Sequence, residues 1–168
     1  QLSSIIVALD MVETEADIDV IRQELSDYGY MKKKSGKKKA SVGKSKPICY
    51  QTSDGFTIYV GRNNYQNDEL TFKIATGNDW WFHAKKIPGS HVIVKTEGAE
   101  LPDDVFMIAA ELAGYYSSGK DSEKLEIDYL QKKNVKKPSG AAPGFVVYYT
   151  NYSMMIHPQI RGVKRIEE

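Results

Sequence analysis

Apolar residues at Leu2, Ile5, Leu9, Val12 and Ala16 recur at alternating spacings of three and four. Ile18, Ile21, Leu25 and Tyr28 repeat that spacing in a shifted phase, which predicts helix over residues 2–28. The stripe is narrow and its flanks are acidic, the pattern of a coiled-coil seam; a helix packed on its own domain is the alternative. Thr14 and Asp17 have capping-box spacing, so the change of phase marks a candidate break, and Gly29 is placed to stop the helix. From Ile48 the period becomes that of strands. ICYQTS and FTIYVG flank Asp54-Gly55, a hairpin signal. NDELTFKIATG reads as a short helix, capped by Asn67 and closed by Gly77. DWWFHA and SHVIVKT read as strands, with Pro88-Gly89 turning the chain between them. Residues 102–118 form the clearest helix: Pro102, Asp103 and Asp104 open it, Gly119 ends it, and Val105, Ile108, Ala109, Leu112, Ala113 and Tyr116 share a face. KLEIDYLQ and GFVVYYTNYSMMIHP supply two or three more strands. The expected architecture is α+β: a mostly antiparallel sheet with two helices over 48–168, preceded by a coiled-coil-type helix over 1–30.

Between these regions, MKKKSGKKKASVGKSKP (31–47) has almost no apolar content and is expected to be disordered or extended. Charge is segregated along the chain. The net charge of +1 conceals seven acids and one base in residues 1–30, and eight lysines with no acid in residues 31–47. The lysine block serves either as a nucleic-acid contact or as a solvated linker.

Composition narrows the rest. With 168 residues and 41% apolar content the chain suits one globular domain plus an appendage. No stretch approaches the ~20 apolar residues of a membrane span. The opening Gln1 suggests a fragment of a longer protein. A single cysteine, Cys49, rules out an internal disulfide or a thiolate-rich zinc site and points to a reducing compartment.

Candidate chemistry concentrates between Gly61 and Val94. His83 and His91 fall on neighbouring strands, but a metal needs a third ligand, and neither zinc-finger nor metalloprotease spacing is present. Ser90 beside His91 is no triad, because neighbours on a strand face opposite ways. No catalytic role, cofactor or metal is expected. Trp80, Trp81, Phe82, His83, Lys85 and Lys86 interleave rings with positive charge. Alternation puts Trp81 and His83 on one face; one face should be core, while the other can stack a base or ribose. Lys132, Lys133, Lys136 and Lys137 near a strand end, and the Arg62-Asn63-Asn64 cluster, favour a phosphate-rich partner.

Four stretches, DGFTIYVGRNNYQNDELTFKIA, DWWFHAKKIPGSHVIV, AAELAGYYS and VKKPSGAAPGFVVYY, together resemble successive signatures of the NFACT-R domain. This is the C-terminal RNA-binding module of the RqcH/fibronectin-binding protein A family, related to eukaryotic NEMF. The resemblance covers about residues 48–158, and the acidic helix resembles the end of the preceding coiled-coil arm. It implies a piece of a ribosome quality control factor that acts in the cytoplasm on large ribosomal subunits blocked by peptidyl-tRNA. Such a factor recruits tRNA and supports C-terminal alanine tailing; this fragment is expected to bind ribosomal RNA and tRNA but not to tail. The alternative partner is fibronectin, with an additional cell-surface presence. The helix is expected to pair with another coiled-coil arm or a neighbouring copy. At the family's motif positions, Arg62, Asn63 and Asn64, then Trp81 and His83 with Asp79, then Ser90 and His91 with Gly89, are expected to form one polar surface. With Lys85, Lys86, Lys133, Lys136 and Lys137 they are the candidate RNA contacts, and each motif residue has a fold-holding role as its alternative.

Overall fold

The computed structural model describes residues 2–29 and 44–167; most of the lysine-rich stretch therefore lies outside the described residues. The helix expected over 2–28 is two, α1 (Leu2–Asp10) and α2 (Glu15–Asp27). The break falls where the phase shifts. Thr14 accepts from the Asp17 amide at 3.2 Å while Asp17 accepts from the Thr14 amide at 3.1 Å, a closed capping box. Much of the narrow stripe closes on itself: Ile5, Ala8 and Ile21 are buried together against Val12 and Leu25. Val7 and Met11 join the main core instead. Leu2, Ile6 and Leu9 stay exposed.

The remaining elements are β1 (Ile48–Thr52), β2 (Thr57–Val60), α3 (Asn64–Glu69), a π-turn (Leu70–Ile74), β3 (Trp80–Ala84), β4 (Val92–Val94), α4 (Asp103–Tyr115), β5 (Leu125–Gln131), β6 (Tyr152–Ile156) and β7 (Val163–Ile166). The strands form one seven-stranded antiparallel sheet in the order β6-β5-β3-β4-β2-β1-β7. The hairpin turns at Asp54-Gly55 as expected, with Gly55 at φ 89, a left-handed conformation that glycine adopts without strain. Two details differ from the sequence reading. The cap of α3 is Asn63, not Asn67. GVKRIE, whose two apolar residues Val163 and Ile166 fall three apart and so off the strand period, forms β7 along the free edge of β1.

Both faces of the sheet are covered, which no alternation pattern announced. On one face α4 packs Val105, Ile108, Ala109, Leu112 and Ala113 onto Ile58, Phe82, Val92, Val94 and Ile127. On the other, Trp81, Ile93 and Leu130 are sealed by Leu70, Ala75 and Val135, with Phe72, Val146 and Tyr148 around them. Burying each large side chain contributes about 1.5–3 kcal/mol. After β6 the chain crosses α4, where Ile156 and Pro158 lie against Gly114 and Gly162 lies against Ile108.

Gly61 sits where β2 meets α3. A Cβ there would fall 2.0 Å from Asn67 Oδ1, the atom that accepts from the His91 amide at 3.1 Å. At Gly77 an added Cβ would meet only Lys133 Cβ, at 3.5 Å. Gly61→Ala should therefore cost about 1–3 kcal/mol in denaturant unfolding, and Gly77→Ala should lie within about 0.5 kcal/mol of the parent.

Candidate nucleic-acid interface

The motif residues do converge, but as a fastener rather than a reading surface. Arg62 is only 8% exposed. Its Nε donates to the Lys46 carbonyl at 2.7 Å and Nη1 to the Met11 carbonyl at 2.8 Å; Nη2 meets Glu13 Oε1 at 2.5 Å. Asp17 lies 3.6 Å from Nη1. A guanidinium so committed has little left for a phosphate, which corrects the RNA-contact expectation for Arg62. Asn63 is buried and caps α3, accepting from the Gln66 amide at 2.9 Å. Asn64 donates to Ser4 Oγ at 2.9 Å and to Glu24 Oε2 at 2.6 Å, tying both N-terminal helices to α3. Burial pushes the Glu24 carboxyl up, against the pull of Asn64. Ser90 is buried, its hydroxyl against Met11 Sδ at 3.3 Å and its amide donating to the Tyr116 carbonyl at 2.9 Å.

The aromatic part of the expectation is corrected in the same way. Trp81 is 1% exposed, because the π-turn and the 135–148 segment cover its face of the sheet. His83 stacks on it with ring centroids 5.5 Å apart, His91 meets it edge-on at 5.1 Å, and the two histidines lie 5.6 Å apart. No base can reach Trp81. His91 Nε2 lies 3.1 Å from the Gly144 carbonyl and Nδ1 2.7 Å from Thr71 Oγ1. A carbonyl only accepts, so Nε2 carries the proton and, in the neutral ring, Nδ1 accepts from Thr71. Burial pushes His91 well below its ordinary value, with nearby His83 adding to the effect, and burial lowers His83 too. Asp79 accepts from the Thr76 and Thr96 amides and pairs with Lys95 at 2.6 Å, closing the turn into β3. Among the described residues no cluster of three His, Cys, Asp or Glu side chains is disposed to hold a metal ion. A cavity of about 210 Å³ remains where Asn64, His83, Gly89, His91, Gly144 and Glu24 meet.

The lysines are distributed differently. Lys85 lies 3.3 Å from Asp128 and 3.5 Å from Glu126, so its charge is matched within the protein. Lys86 is exposed, at φ 58. Lys133 and Lys136 are exposed, and Lys132 and Lys137 reach over a half-buried ring the sequence reading did not single out, Phe72. Their Nζ atoms lie 5.7 and 6.0 Å from its centroid. Lys137 is anchored there by Asp68 at 2.6 Å. The π-turn delivers this arrangement: the Ala75 amide reaches back to the Leu70 carbonyl at 2.8 Å, Leu70 is buried and Phe72 faces outward, half-exposed, with Lys73 exposed beside it. A ring flanked by lysines on one face suits a backbone phosphate and a stacked base together.

Comparison with known proteins gives a consistent grouping. The model of the family described as NFACT protein RNA binding domain matches residues 46–149. The Rqc2 homolog RqcH of Streptococcus suis is 41% identical across 99% of this chain and 31% of its own length. That of Bacillus subtilis is 38% identical across 90% of this chain and 27% of its own. The chain thus spans about a third of these curated relatives. The solved C-terminal structure of the fibronectin/fibrinogen-binding protein from Streptococcus suis superposes with a TM-score of 0.83 at 42% identity, covering 94% of this chain and 62% of that one.

Removing the fastener should loosen the helices before the sheet. Arg62→Ala takes the donors from the Met11 and Lys46 carbonyls and the positive charge from beside Asp17 and Glu13, and should cost about 3 kcal/mol, with amide exchange rising across α1 and α2 while β3–β5 stay protected. Buried His91 and half-buried His83 add a pH dependence. Their folded pKa values lie below the ordinary 6.5, so the unfolded chain binds more protons below that pH. Their contribution is complete above pH 6.5 and is lost as pH falls through the folded values. Urea midpoints should drop between pH 7 and 5, with a smaller drop in His91→Gln.

Proposed function

The chain belongs to the NFACT protein RNA binding domain family, and from that premise we propose that it is the RNA-binding module of a ribosome quality control factor, gripping RNA through the lysine face around Phe72. One observation carries the placement: a half-exposed ring, Phe72, with the Lys132 ammonium over it and Lys137 held beside it by Asp68, next to exposed Lys133, Lys136 and Lys73. The eight lysines of residues 32–46 add sequence-independent attraction for phosphate. Arg62, Trp81, His83 and His91 act behind this surface, holding the helical pair and the π-turn in place.

The RqcH relatives support assigning the RNA to the large ribosomal subunit and to tRNA, with the whole protein acting on subunits blocked by peptidyl-tRNA and supporting alanine tailing in the cytoplasm. In this reading the present chain binds and neither catalyses nor holds a metal. Exposed Leu2, Ile6 and Leu9 support pairing of the helical segment with another coiled-coil arm or a neighbouring copy. A second reading, binding of fibronectin with an additional cell-surface presence, draws its partner from the similarity to the C-terminal domain of the Streptococcus suis fibronectin/fibrinogen-binding protein. A basic face attracts acidic protein as it attracts RNA.

Salt titration separates the contributions. With about four phosphates engaged, the logarithm of affinity for single-stranded RNA should fall with the logarithm of salt at a slope of about −3. Changing Lys132, Lys133, Lys136 and Lys137 to Gln should flatten that slope by about 1–2, and changing the eight lysines of 32–46 should weaken binding to every sequence alike. An intact chain with no salt-dependent RNA affinity, or one that binds fibronectin more tightly than RNA at equal ionic strength, would overturn the assignment.

A further inference from the structure

The sheet face opposite Phe72 carries an arrangement of the reverse charge. Trp80 meets Phe106 of α4 edge-on, with centroids 4.8 Å apart. It lies 6.0 Å from both Tyr129 and Tyr152, which stack on each other at 5.5 Å. The register explains the set: Tyr129 of β5 pairs with both Phe82 of β3 and Tyr152 of β6, and alternation brings Trp80 to the same side. Two open clefts share Trp80 and Phe106. One, of about 400 Å³, runs past Asn78 and Gln131 to Glu100; the other, of about 370 Å³, runs under Tyr152 to Asp103. Tyr152 is 61% exposed, and Glu100 and Asp103 are exposed. No lysine or arginine lines either cleft.

We propose that this groove docks a basic segment of a partner protein by an arginine laid on the Trp80–Tyr152 rings. Ring faces are the negative side of the aromatic quadrupole and attract a cation within about 6 Å of the centroid. A guanidinium is planar, so it can stack on a ring and pair with Asp103 or Glu100 at once, whereas a lysine ammonium is a compact, strongly hydrated point charge. The carboxylates decide against the other occupant that exposed rings suggest. A stacked nucleobase would bring its phosphates beside Glu100 and Asp103, while the lysines around Phe72 face away from the groove on the far side of the sheet. The proposal does not depend on RNA binding at that other face.

The two tryptophans make the test direct. Trp80 lines the groove, and Trp81, buried under the opposite face, reports on the fold. The 168-residue chain, labelled with nitrogen-15, is titrated with a ten-residue peptide alternating arginine and serine, its lysine counterpart, and a twelve-nucleotide uridine RNA. The arginine peptide should shift the Trp80 indole resonance and leave that of Trp81 in place, binding about 3–10-fold more tightly than the lysine peptide. Tyr152→Ala should weaken the arginine peptide about 5–10-fold, and the double change Asp103→Asn with Glu100→Gln should weaken it by a similar factor. Both variants alter exposed positions and should retain the RNA affinity of the parent. An unshifted Trp80 resonance, unchanged affinity in both variants, or a uridine RNA that shifts Trp80 and competes with the peptide would overturn the proposal.

Discussion

The buried guanidinium of Arg62 is the constraint around which the N-terminal half is arranged. Removing a full charge from water is costly unless its donors are answered. The turn between β2 and α3 that carries Arg62 does not answer them locally: the Arg62 amide itself donates to Gln66 Oε1. The partners come from elsewhere: the Met11 carbonyl at the end of α1, Glu13 in the break, Asp17 in the first turn of α2, and the Lys46 carbonyl leading into β1. The break between the helices is thus the place where the helices reach the sheet. Glu13 also accepts from Arg165 of β7. That bond, with Arg62 adding and partial burial opposing, holds its carboxyl at about 2. One exposed carboxylate therefore joins the first, second and last parts of the described chain.

Covering both faces of the sheet changes what its aromatic residues do. Trp81, His83 and His91 look like contacts when the sheet is imagined with one wet face. Beneath the π-turn they become packing, and the histidines are kept neutral by burial. What remains for partners lies at the margins. On one side a phenylalanine stands among lysines; on the other, tyrosine and tryptophan lie among carboxylates. The two faces of a single sheet thereby present opposite charge within one small domain.

The parts of this structure legible in the sequence were those set by local period and turn chemistry. The capping box at Thr14 and Asp17, the Asp54-Gly55 hairpin, the apolar face of α4 and the positions of β3 and β5 all follow from neighbours within a few residues. The misreadings were of partners distant in the chain. Nothing near Arg62 announces that its acceptors lie at positions 11, 13 and 17, or that Asn64 finds Glu24. Asn67 has the local setting of a cap; its actual role, accepting from the His91 amide, spans 24 residues. Phe72 sits inside a helix-like run and nothing in its neighbours singles it out. The π-turn that turns it outward leaves no mark in composition, and β7 carries too few apolar residues to stand out from a tail.

The path of the last strands sets the curvature of the sheet. β6 and β7 are its two outermost strands, yet they are consecutive in the chain. Laid flat, seven strands would hold those edges about 29 Å apart, six spacings of about 4.8 Å. From Ile156 to Val163 is seven residues, a reach of at most about 25 Å when fully extended, and the crossing must also clear α4. The sheet can satisfy this only by rolling towards the helix until its margins approach one another. The segment 157–162 is therefore a chord across an arc, held short by covalent geometry, with α4 enclosed between chord and sheet. The curvature thus belongs to the connectivity as much as to the packing inside it.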